Sequence, residues 1–407
     1  MIHDENACVN KRLTILLLGL LTAIVPFSVD MYLPGFPAIA ATLHTTVTKV
    51  AMSLSSFFIG IGLGQLVYGP LLDRFGRKPP LYVGLLIYIV FSIACAYTLS
   101  IEHLILYRFF QAIGACAGTI AAAALVRDLF PPHENARIFS FLILVLSVSP
   151  LLAPTLGGYV NAAFGWRSIF VFLTLLITLL LVGSFFILPH GNRGSTYVSL
   201  RPVSVARAYI KIATDTRFFT PALLGALAFS GLFTYIASSP GIFIINYGMT
   251  PKDYGLLFAL LASGLTLASQ INTWLLKRIA STRIIKTSLL FQTAISIMFL
   301  LFLIVGLKLL WVIITLLFLY LACLGFIIPN ATALALKPFS SNAGSASALL
   351  GFFQMGLGSL TTILVDLLHI QSALPVSICL MITSIIALTL TIGRKHQHNI
   401  KTTQHFS

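Results

Sequence analysis

The chain has 407 residues, of which 58% are hydrophobic and only 9% are charged, and its mean hydropathy is +0.99. A soluble domain usually carries about a quarter charged residues, so this composition excludes a water-soluble globular protein. The net charge of +15 is spread over short polar segments between apolar runs, which argues against a nucleic-acid surface. Five scattered cysteines without a CxxC pair indicate neither a disulfide framework nor a metal site.

Apolar runs long enough to cross the ~30 Å hydrocarbon layer of a bilayer occur twelve times. Backbone amides in lipid must be bonded within their own segment, and no run alternates like a barrel strand, so each is predicted to be a helix. The first run contains Asp30 and is longer than a signal-peptide core, which favours a retained span over the alternative of a cleaved signal. The predicted spans are 13–35, 50–72, 80–99, 104–126, 138–160, 168–188, 219–245, 254–276, 287–306, 309–333, 344–368 and 374–393.

The basic residues predict the orientation of these spans. Twelve spans place both termini on one side, and the polar segments on that side carry 20 of the 25 Lys and Arg residues. The opposite segments carry Lys49, Arg167, Lys252 and Lys308, and Arg108 alone falls inside a span. By the positive-inside rule, both termini are predicted to be cytoplasmic.

The longest polar segment, 189–218, separates two halves of six spans. A weak repeat supports this division, because residues 71–76 and 275–280 occupy the same loop of each half. Two such halves around a cavity near the membrane midplane form a transporter architecture. The predicted organisation is a tail (1–12), an N-terminal six-helix bundle (13–188), a cytoplasmic linker (189–218), a C-terminal six-helix bundle (219–393) and a second tail (394–407).

A short turn rich in charges follows the second span, in the string GPLLDRFGRKPPL from Gly69 to Leu81. Glycines permit a tight turn and close backbone approach, and the acid and bases can pair with helix ends or with Asp128 at the end of the fourth span. This predicts a conformational latch, and the alternative is a solvated turn. The latch residues are Gly69, Asp73, Arg74, Gly76, Arg77 and Asp128.

Two charged residues are predicted near the outer ends of the first and fourth spans. Insertion of an arginine such as Arg108 into the membrane is unfavourable by roughly 2.5 to 3.5 kcal/mol on insertion scales, so its side chain needs a hydrogen-bonding partner or water. Asp30 falls at a similar depth, so the two are candidates for contact and for proton transfer. The alternatives are a snorkelling arginine and a hydrated helix-end carboxylate. Asp366 and His369 end the eleventh span, where interfacial solvation is favoured.

Several of these strings resemble known families. The Gly69 to Leu81 turn resembles the loop motif of the major facilitator superfamily, and Arg108, Gln111 and Gly114 match the fourth-helix spacing of its drug:proton antiporters. LLAPTLGG, with Pro154, Gly157 and Gly158, partly resembles the superfamily's antiporter signature. Together with DMYLPGFP, GLFTYIASSP and IIPNATALAL, these strings are similar to the Bcr/CflA branch of drug-resistance transporters over about 13–393.

The resemblance implies the major facilitator fold and proton-coupled efflux of small hydrophobic or amphipathic compounds across a bacterial inner membrane. The family has an arginine near its proton pathway, which implies that role for Arg108, and the depth of Asp30 in the first span makes it the predicted protonatable group, so that Asp30 and Arg108 are the predicted proton-coupling residues. Asp30, Tyr32, Arg108 and Gln111 are candidates to line the substrate cavity. We expect no cofactor, no nucleic acid and a monomer. The alternatives are a dedicated exporter of one metabolite or siderophore, an importer, or a sensor or enzyme. No GxxxxGK[ST], HExxH or GxSxG string supports an enzyme.

Overall fold

The computed structural model describes residues 11–189, 202–307, 309–339, 343–368 and 372–403. Predictions that involve the first ten residues, Lys308 or His369 lie outside these ranges. Within them the regular structure is entirely helical. The α-helices are α1 (Lys11–Asp30), α2 (Phe36–Thr42), α3 (Val47–Phe75), α4 (Lys78–Tyr97), α5 (Ile101–Leu129), α6 (Pro132–Phe164), α7 (Arg167–Ile187), α8 (Pro202–Ala213), α9 (Thr216–Pro240), α10 (Pro251–Leu275), α11 (Ser281–Ile304), α12 (Leu310–Leu336), α13 (Ala343–Leu367) and α14 (Ala373–Thr403).

The described part of the chain contains twelve helical stretches that are long and apolar enough to cross a membrane. Each overlaps one of the twelve predicted runs, so the predicted all-α membrane fold is confirmed. The first stretch, Lys11–Thr42, joins α1, a 3-10 turn and α2, and is longer than the predicted 13–35. The seventh continues from α9 into a π-helical turn over Gly241–Asn246.

The helix ends follow local sequence signals. Thr46 and Ser100 accept hydrogen bonds from backbone amides in the first turns of α3 and α5. Asp215 does the same for α9, and hydrogen bonds from Arg217 hold the pKa of the Asp215 carboxyl below its usual range. Gly76 ends α3 with φ of +84°, a conformation that L side chains rarely adopt.

The polar and apolar side chains are distributed as expected for a protein in lipid. Large apolar side chains remain on the outside, including Phe164 (80% exposed), Phe186 (77%) and Trp311 (77%). Polar side chains such as those of Ser53 and Arg108 are buried between the helices. Since lipid solvates the outer apolar surface, the interior is held together by close packing and by hydrogen bonds between helices.

The chain forms two compact units. The first contains Met1–Tyr209 and Met249–Ala259, and in it α5 packs against α1, α3 and α4. The second contains Ile210–Gly248 and Leu260–Ser407, and in it α9 packs against α12, α13 and α14. The segment Met249–Ala259, which the sequence prediction assigned to the second half, groups with the first unit because its backbone packs closely against α6.

The linker contains a helix that the sequence analysis did not predict. α8 occupies Pro202–Ala213 within the predicted linker 189–218. Its Tyr209 hydroxyl donates a hydrogen bond to the carbonyl of Leu66 at 3.0 Å, which ties this part of the linker to α3. Burial raises the pKa of Tyr209 to about 12, and the nearby charge of Asp73 adds to the effect, so the hydroxyl keeps its proton at neutral pH.

Candidate functional site

The first span is interrupted at Asp30. α1 ends at this residue, the chain turns through Met31 and Tyr32, and a 3-10 turn over Leu33–Gly35 leads into α2. Asp30 is only 3% exposed, so it is not the hydrated helix-end carboxylate that the sequence allowed as an alternative. A carboxyl group at the break of a discontinuous membrane helix is typical of ion and substrate sites in transporters.

Arg108 is fully enclosed, and hydrogen bonds fix its guanidinium group. One terminal nitrogen donates to Oε1 of Gln111 at 2.7 Å, and the other donates to the backbone carbonyl of Ser28 at 3.0 Å. Arg108 is 0% exposed, which excludes the alternative of a side chain that snorkels to the interface. The Nε atom of Arg108 and the Nε2 atom of Gln111 are buried and have no hydrogen-bond partner, so two donors are unused in this structure.

Three aromatic rings surround the same guanidinium group, and we call them the Arg108 cage. The guanidinium carbon lies 4.1 Å from the ring centre of Phe57, 4.6 Å from that of Tyr32 and 5.8 Å from that of Phe170. A desolvated cation over an aromatic face gains about 2 kcal/mol or more, so the rings replace part of the hydration that the charge has lost.

Hydroxyl pairs hold the cage in place. Tyr32 Oη lies 2.8 Å from Ser53 Oγ, and Ser53 donates its own proton to the carbonyl of Val50, so Tyr32 is the donor in the first pair. Tyr88 Oη lies 2.6 Å from Ser28 Oγ. These contacts fix the loop after α1 to α3 and the end of α1 to α4, and thereby orient the carbonyl that accepts from Arg108.

Asp30 and Arg108 are not an ion pair in this structure. Among the described residues, the ion pairs within 4.0 Å do not include either of them. The direct contact that the sequence suggested is therefore absent, for a geometric reason. Ser28 faces Tyr88 and the Arg108 side of α1, and Asp30, two residues later, projects about 200° further around the helix.

The four predicted substrate-cavity residues are buried. Tyr32, Arg108 and Gln111 are 0% exposed, and Asp30 is 3% exposed. Tyr32 and Gln111 each contact the guanidinium of Arg108, whereas Asp30 forms no ion pair with it. Contact of these four residues with a substrate stays a prediction.

The helix that carries the predicted antiporter motif packs tightly against the site. A Cβ atom on Gly157 would collide with the backbone of Met31, the residue that follows Asp30. A Cβ on Gly158 would lie 2.6 Å from the carbonyl oxygen of Pro251, and one on Gly255 would lie 2.8 Å from that of Pro154. The glycines of α6 therefore permit backbone contact with both the break in the first span and the start of α10.

The predicted latch residues form a cluster of ion pairs in the first unit. Nε of Arg77 lies 2.6 Å from Asp128 at the end of α5, and a terminal nitrogen of Arg77 lies 2.8 Å from Asp73 at the end of α3. Burial alone would lower the pKa of Arg77, but the hydrogen bonds to Asp128 and Asp73 outweigh it and raise that pKa. The Arg77 and Asp128 side chains are 13% and 17% exposed, whereas that of Asp73 is 59% exposed. The structure thus brings together three of the six residues through one guanidinium.

The remaining latch residues differ in their roles. Gly76 adopts a positive φ, which supports the prediction of a tight turn. Gly69 does not make the close backbone approach that was predicted, because a Cβ there would meet only Tyr209 Oη, at an ordinary 3.8 Å. Arg74 is half-buried at the end of α3.

Sequence reasoning missed several residues of the site. Phe57 and Phe170 carried no signal among the chain's 31 phenylalanines, and the role of Ser28 depends on its backbone carbonyl, which no side-chain motif reveals. Asp366 is 5% exposed, so the favoured prediction of interfacial solvation is wrong for it. It lies in the last turn of α13.

Twelve helical stretches of membrane-spanning length in the described part of the chain, together with the match to a transporter family, define a multi-pass membrane transporter rather than an enzyme. A family model described as Major Facilitator Superfamily matches residues 18–362. The chain therefore belongs to the Major Facilitator Superfamily, and as a relative of bacterial transporters it resides in the inner membrane.

Three bacterial relatives cover about nine tenths of the chain or more. It is 30% identical to the uncharacterized MFS-type transporter YdgK of Bacillus subtilis (95% of this chain, 96% of the relative). It is 28% identical to a bicyclomycin resistance protein homolog of Haemophilus influenzae (89% and 90%). It is 29% identical to a chloramphenicol resistance protein of Pseudomonas aeruginosa (92% and 88%). The resemblance to drug-resistance transporters is thereby confirmed.

A solved structure shares the fold. The crystal structure of a D-xylose-proton symporter matches with a TM-score of 0.73 and 13% identity, over 92% of this chain and 97% of that one. At this identity the match supports the architecture and carries no information on the substrate.

Proposed function

We propose that this transporter exports small hydrophobic or amphipathic compounds, drugs among them, in exchange for protons. The observation that carries the proposal is Asp30, a carboxyl group that is 3% exposed at the break of the first span. A carboxyl group whose surroundings alternate between water and apolar packing exchanges a proton with the side to which it is open. Alternating access of a transporter provides such a change of surroundings.

Arg108 tunes this exchange in the proposed mechanism. Its hydrogen bond to the Ser28 carbonyl attaches it to the same helix end that carries Asp30, and its Nε donor is unused in the present conformation. We propose that a shift of the chain at Met31 brings the ionised Asp30 carboxylate toward this donor in another state. Proton uptake then breaks the attraction and returns Arg108 to the enclosed geometry seen here. No cofactor takes part in this cycle.

The direction of transport and the substrate class draw on the relatives. Two of them are named for resistance to bicyclomycin and to chloramphenicol, which supports export of drugs. Apolar side chains contact a substrate without strict directional requirements, which suits varied compounds. We propose that the ion pairs of Arg77 with Asp73 and Asp128 stabilise one conformational state of the transporter. Pro154, Gly157 and Gly158 let α6 pack closely at the site in this proposal. The working unit is a monomer.

The test uses everted membrane vesicles that hold a preformed proton gradient. Candidate drugs, bicyclomycin and chloramphenicol among them, should dissipate the gradient in vesicles with the wild-type protein, and Asp30→Asn should abolish this response at equal expression. The matched control is Glu102→Gln, because Glu102 is an exposed carboxylate in the first turn of α5. Drug-dependent proton movement by Asp30→Asn equal to that of the wild type would refute the proposal. If no compound of the panel dissipates the gradient in vesicles with the wild-type protein, a dedicated exporter of one metabolite is favoured.

A further inference from the structure

A cavity lies in the second unit. Its volume is about 1100 Å³. It is lined by the start of α9, the turn between α10 and α11, the first turns of α11, and the ends of α12 and α14. All of these are span ends on the side that the charge distribution predicts to be cytoplasmic, so the cavity lies at the level of the membrane surface.

The lining of this cavity is basic. Arg278, Arg283 and Lys286 contribute three positive charges, and Thr282 and Thr287 add hydroxyl groups nearby. The described lining residues include no Asp or Glu. None of the three bases takes part in an ion pair between described residues. Three like charges around one cavity repel one another unless an anion lies between them, which favours an anionic ligand.

The start of α11 adds to the positive potential. This helix of 24 residues begins at Ser281, between the lining residues Ala280 and Thr282. Its capping position, Ala280, makes no side-chain hydrogen bond to the first turn, and that turn contains no acidic residue. The positive end of the helix dipole is therefore not neutralised by the chain itself.

Most of the remaining lining is apolar, with Thr220 and Thr391 as further hydroxyl groups. Leu224, Leu290, Leu334 and Leu390 line the cavity on four different helices. Beside it, the guanidinium of Arg278 lies 5.2 Å from the ring centre of Trp274, which is 55% exposed. A tryptophan and an arginine at a span end are typical of the lipid head-group level.

We infer that this cavity binds an anionic phospholipid of the leaflet on that side. The phosphate diester lies among Arg278, Arg283, Lys286 and the start of α11, and the upper part of the acyl chains lies against the leucines. The cavity combines a basic end with an apolar wall. A lipid has both an anionic head group and acyl chains to match them, whereas a small soluble anion has no apolar part that could contact the leucines. The inference does not depend on the proposed export of drugs.

The chain's own C-terminal segment is a poor occupant on grounds of charge. Residues 392–407 contain Arg394, Lys395 and Lys401 and no acidic residue, so they would add positive charge to a basic cavity. An anionic head group provides the opposite charge.

The test is native mass spectrometry of the purified, delipidated full-length protein titrated with phosphatidylglycerol, with phosphatidylcholine and with inorganic phosphate. The wild type should retain phosphatidylglycerol in preference to phosphatidylcholine, and Arg283→Gln with Lys286→Gln should weaken its binding by roughly tenfold or more. The matched control is Lys277→Gln, because Lys277 is an exposed base in the same turn that does not line the cavity. It should bind as the wild type does.

A photoactivatable phosphatidylglycerol gives a second measurement on the unaltered protein. Cross-links should map to peptides from the start of α11 and the end of α14. Unchanged binding in the double variant, or cross-links confined to other helices, would overturn the inference. Binding of inorganic phosphate with no preference for the lipid would instead identify a soluble-anion site and would also overturn it. If the double variant does not fold, Arg283→Lys should retain binding and Leu334→Trp should reduce it by filling the apolar part.

Discussion

The backbone of Met31 lies directly against the α-carbon of Gly157, which leaves no room for a side chain at that position. Met31 follows Asp30, and Gly157 belongs to the antiporter-like motif of α6. Close packing by this glycine therefore supports the helix break that carries the buried carboxyl group.

Gly157→Ala is expected to destabilise the protein by about 1–3 kcal/mol, because the added methyl group must displace the Met31 backbone. Thermal unfolding of the purified protein measures the change. The control is Gly356→Ala, since a Cβ on Gly356 meets nothing within 4 Å and should alter stability by no more than about 0.5 kcal/mol. Equal melting temperatures for the two variants would contradict the role assigned to Gly157.

Arg108→Lys is expected to impair coupling although it keeps the charge. A lysine presents one compact ammonium group and cannot reach both Gln111 and the Ser28 carbonyl as the guanidinium does. The loss of a charged hydrogen bond should lower the free energy of unfolding by about 1.5–3 kcal/mol. Drug-driven proton movement and thermal unfolding are measured together, with Arg127→Lys as a control on the same helix at an exposed position. Uphill transport by Arg108→Lys equal to that of the wild type would rule out this role.

The two ion pairs of Arg77 should differ in strength. The pair with Asp128 is largely buried, and the pair with Asp73 joins positions i and i+4 with one partner 59% exposed. A double-mutant cycle with Arg77→Gln and Asp128→Asn should give a coupling of about 1 kcal/mol, whereas the cycle with Asp73→Asn should give about 0.3–0.5 kcal/mol. Urea-induced unfolding of the two sets measures both values. A larger coupling to Asp73 than to Asp128 would show that exposure does not govern these pairs.

The membrane fold could be predicted because a long apolar segment in lipid can satisfy its backbone hydrogen bonds in few ways other than as a helix. The twelve runs, the turn at Gly76 and the proximity of Arg77 to Asp128 all follow from patterns that are local or motif-bound. The Arg108 cage could not be predicted, because Phe57 and Phe170 come from different helices and resemble every other phenylalanine in the sequence. The separation of Asp30 from Arg108 could not be predicted either, because it depends on the residue at which α1 ends.

Burial near a span end was the least predictable feature. Asp30 and Asp366 both lie close to the end of a helix. The position of a residue along a span does not show whether its carboxyl group is hydrated or buried there, and in this structure both carboxyl groups are buried. α8 was missed for the opposite reason, because a short helix in a basic linker lacks the apolar run on which the other predictions rested.

Tyr209→Phe is expected to loosen α8, because the hydroxyl donates to the Leu66 carbonyl and most other side chains of that helix are exposed. The loss of one hydrogen bond, about 1 kcal/mol, corresponds to roughly fivefold faster amide exchange over this helix. Hydrogen–deuterium exchange read by mass spectrometry measures it, with Tyr97→Phe as the control because Tyr97 is 78% exposed. Since α8 connects the two units along the chain, its release should also change the rate of transport while leaving drug affinity unaltered. Unchanged exchange in α8 would mean that the rest of its surface, rather than this hydroxyl, holds the helix against α3.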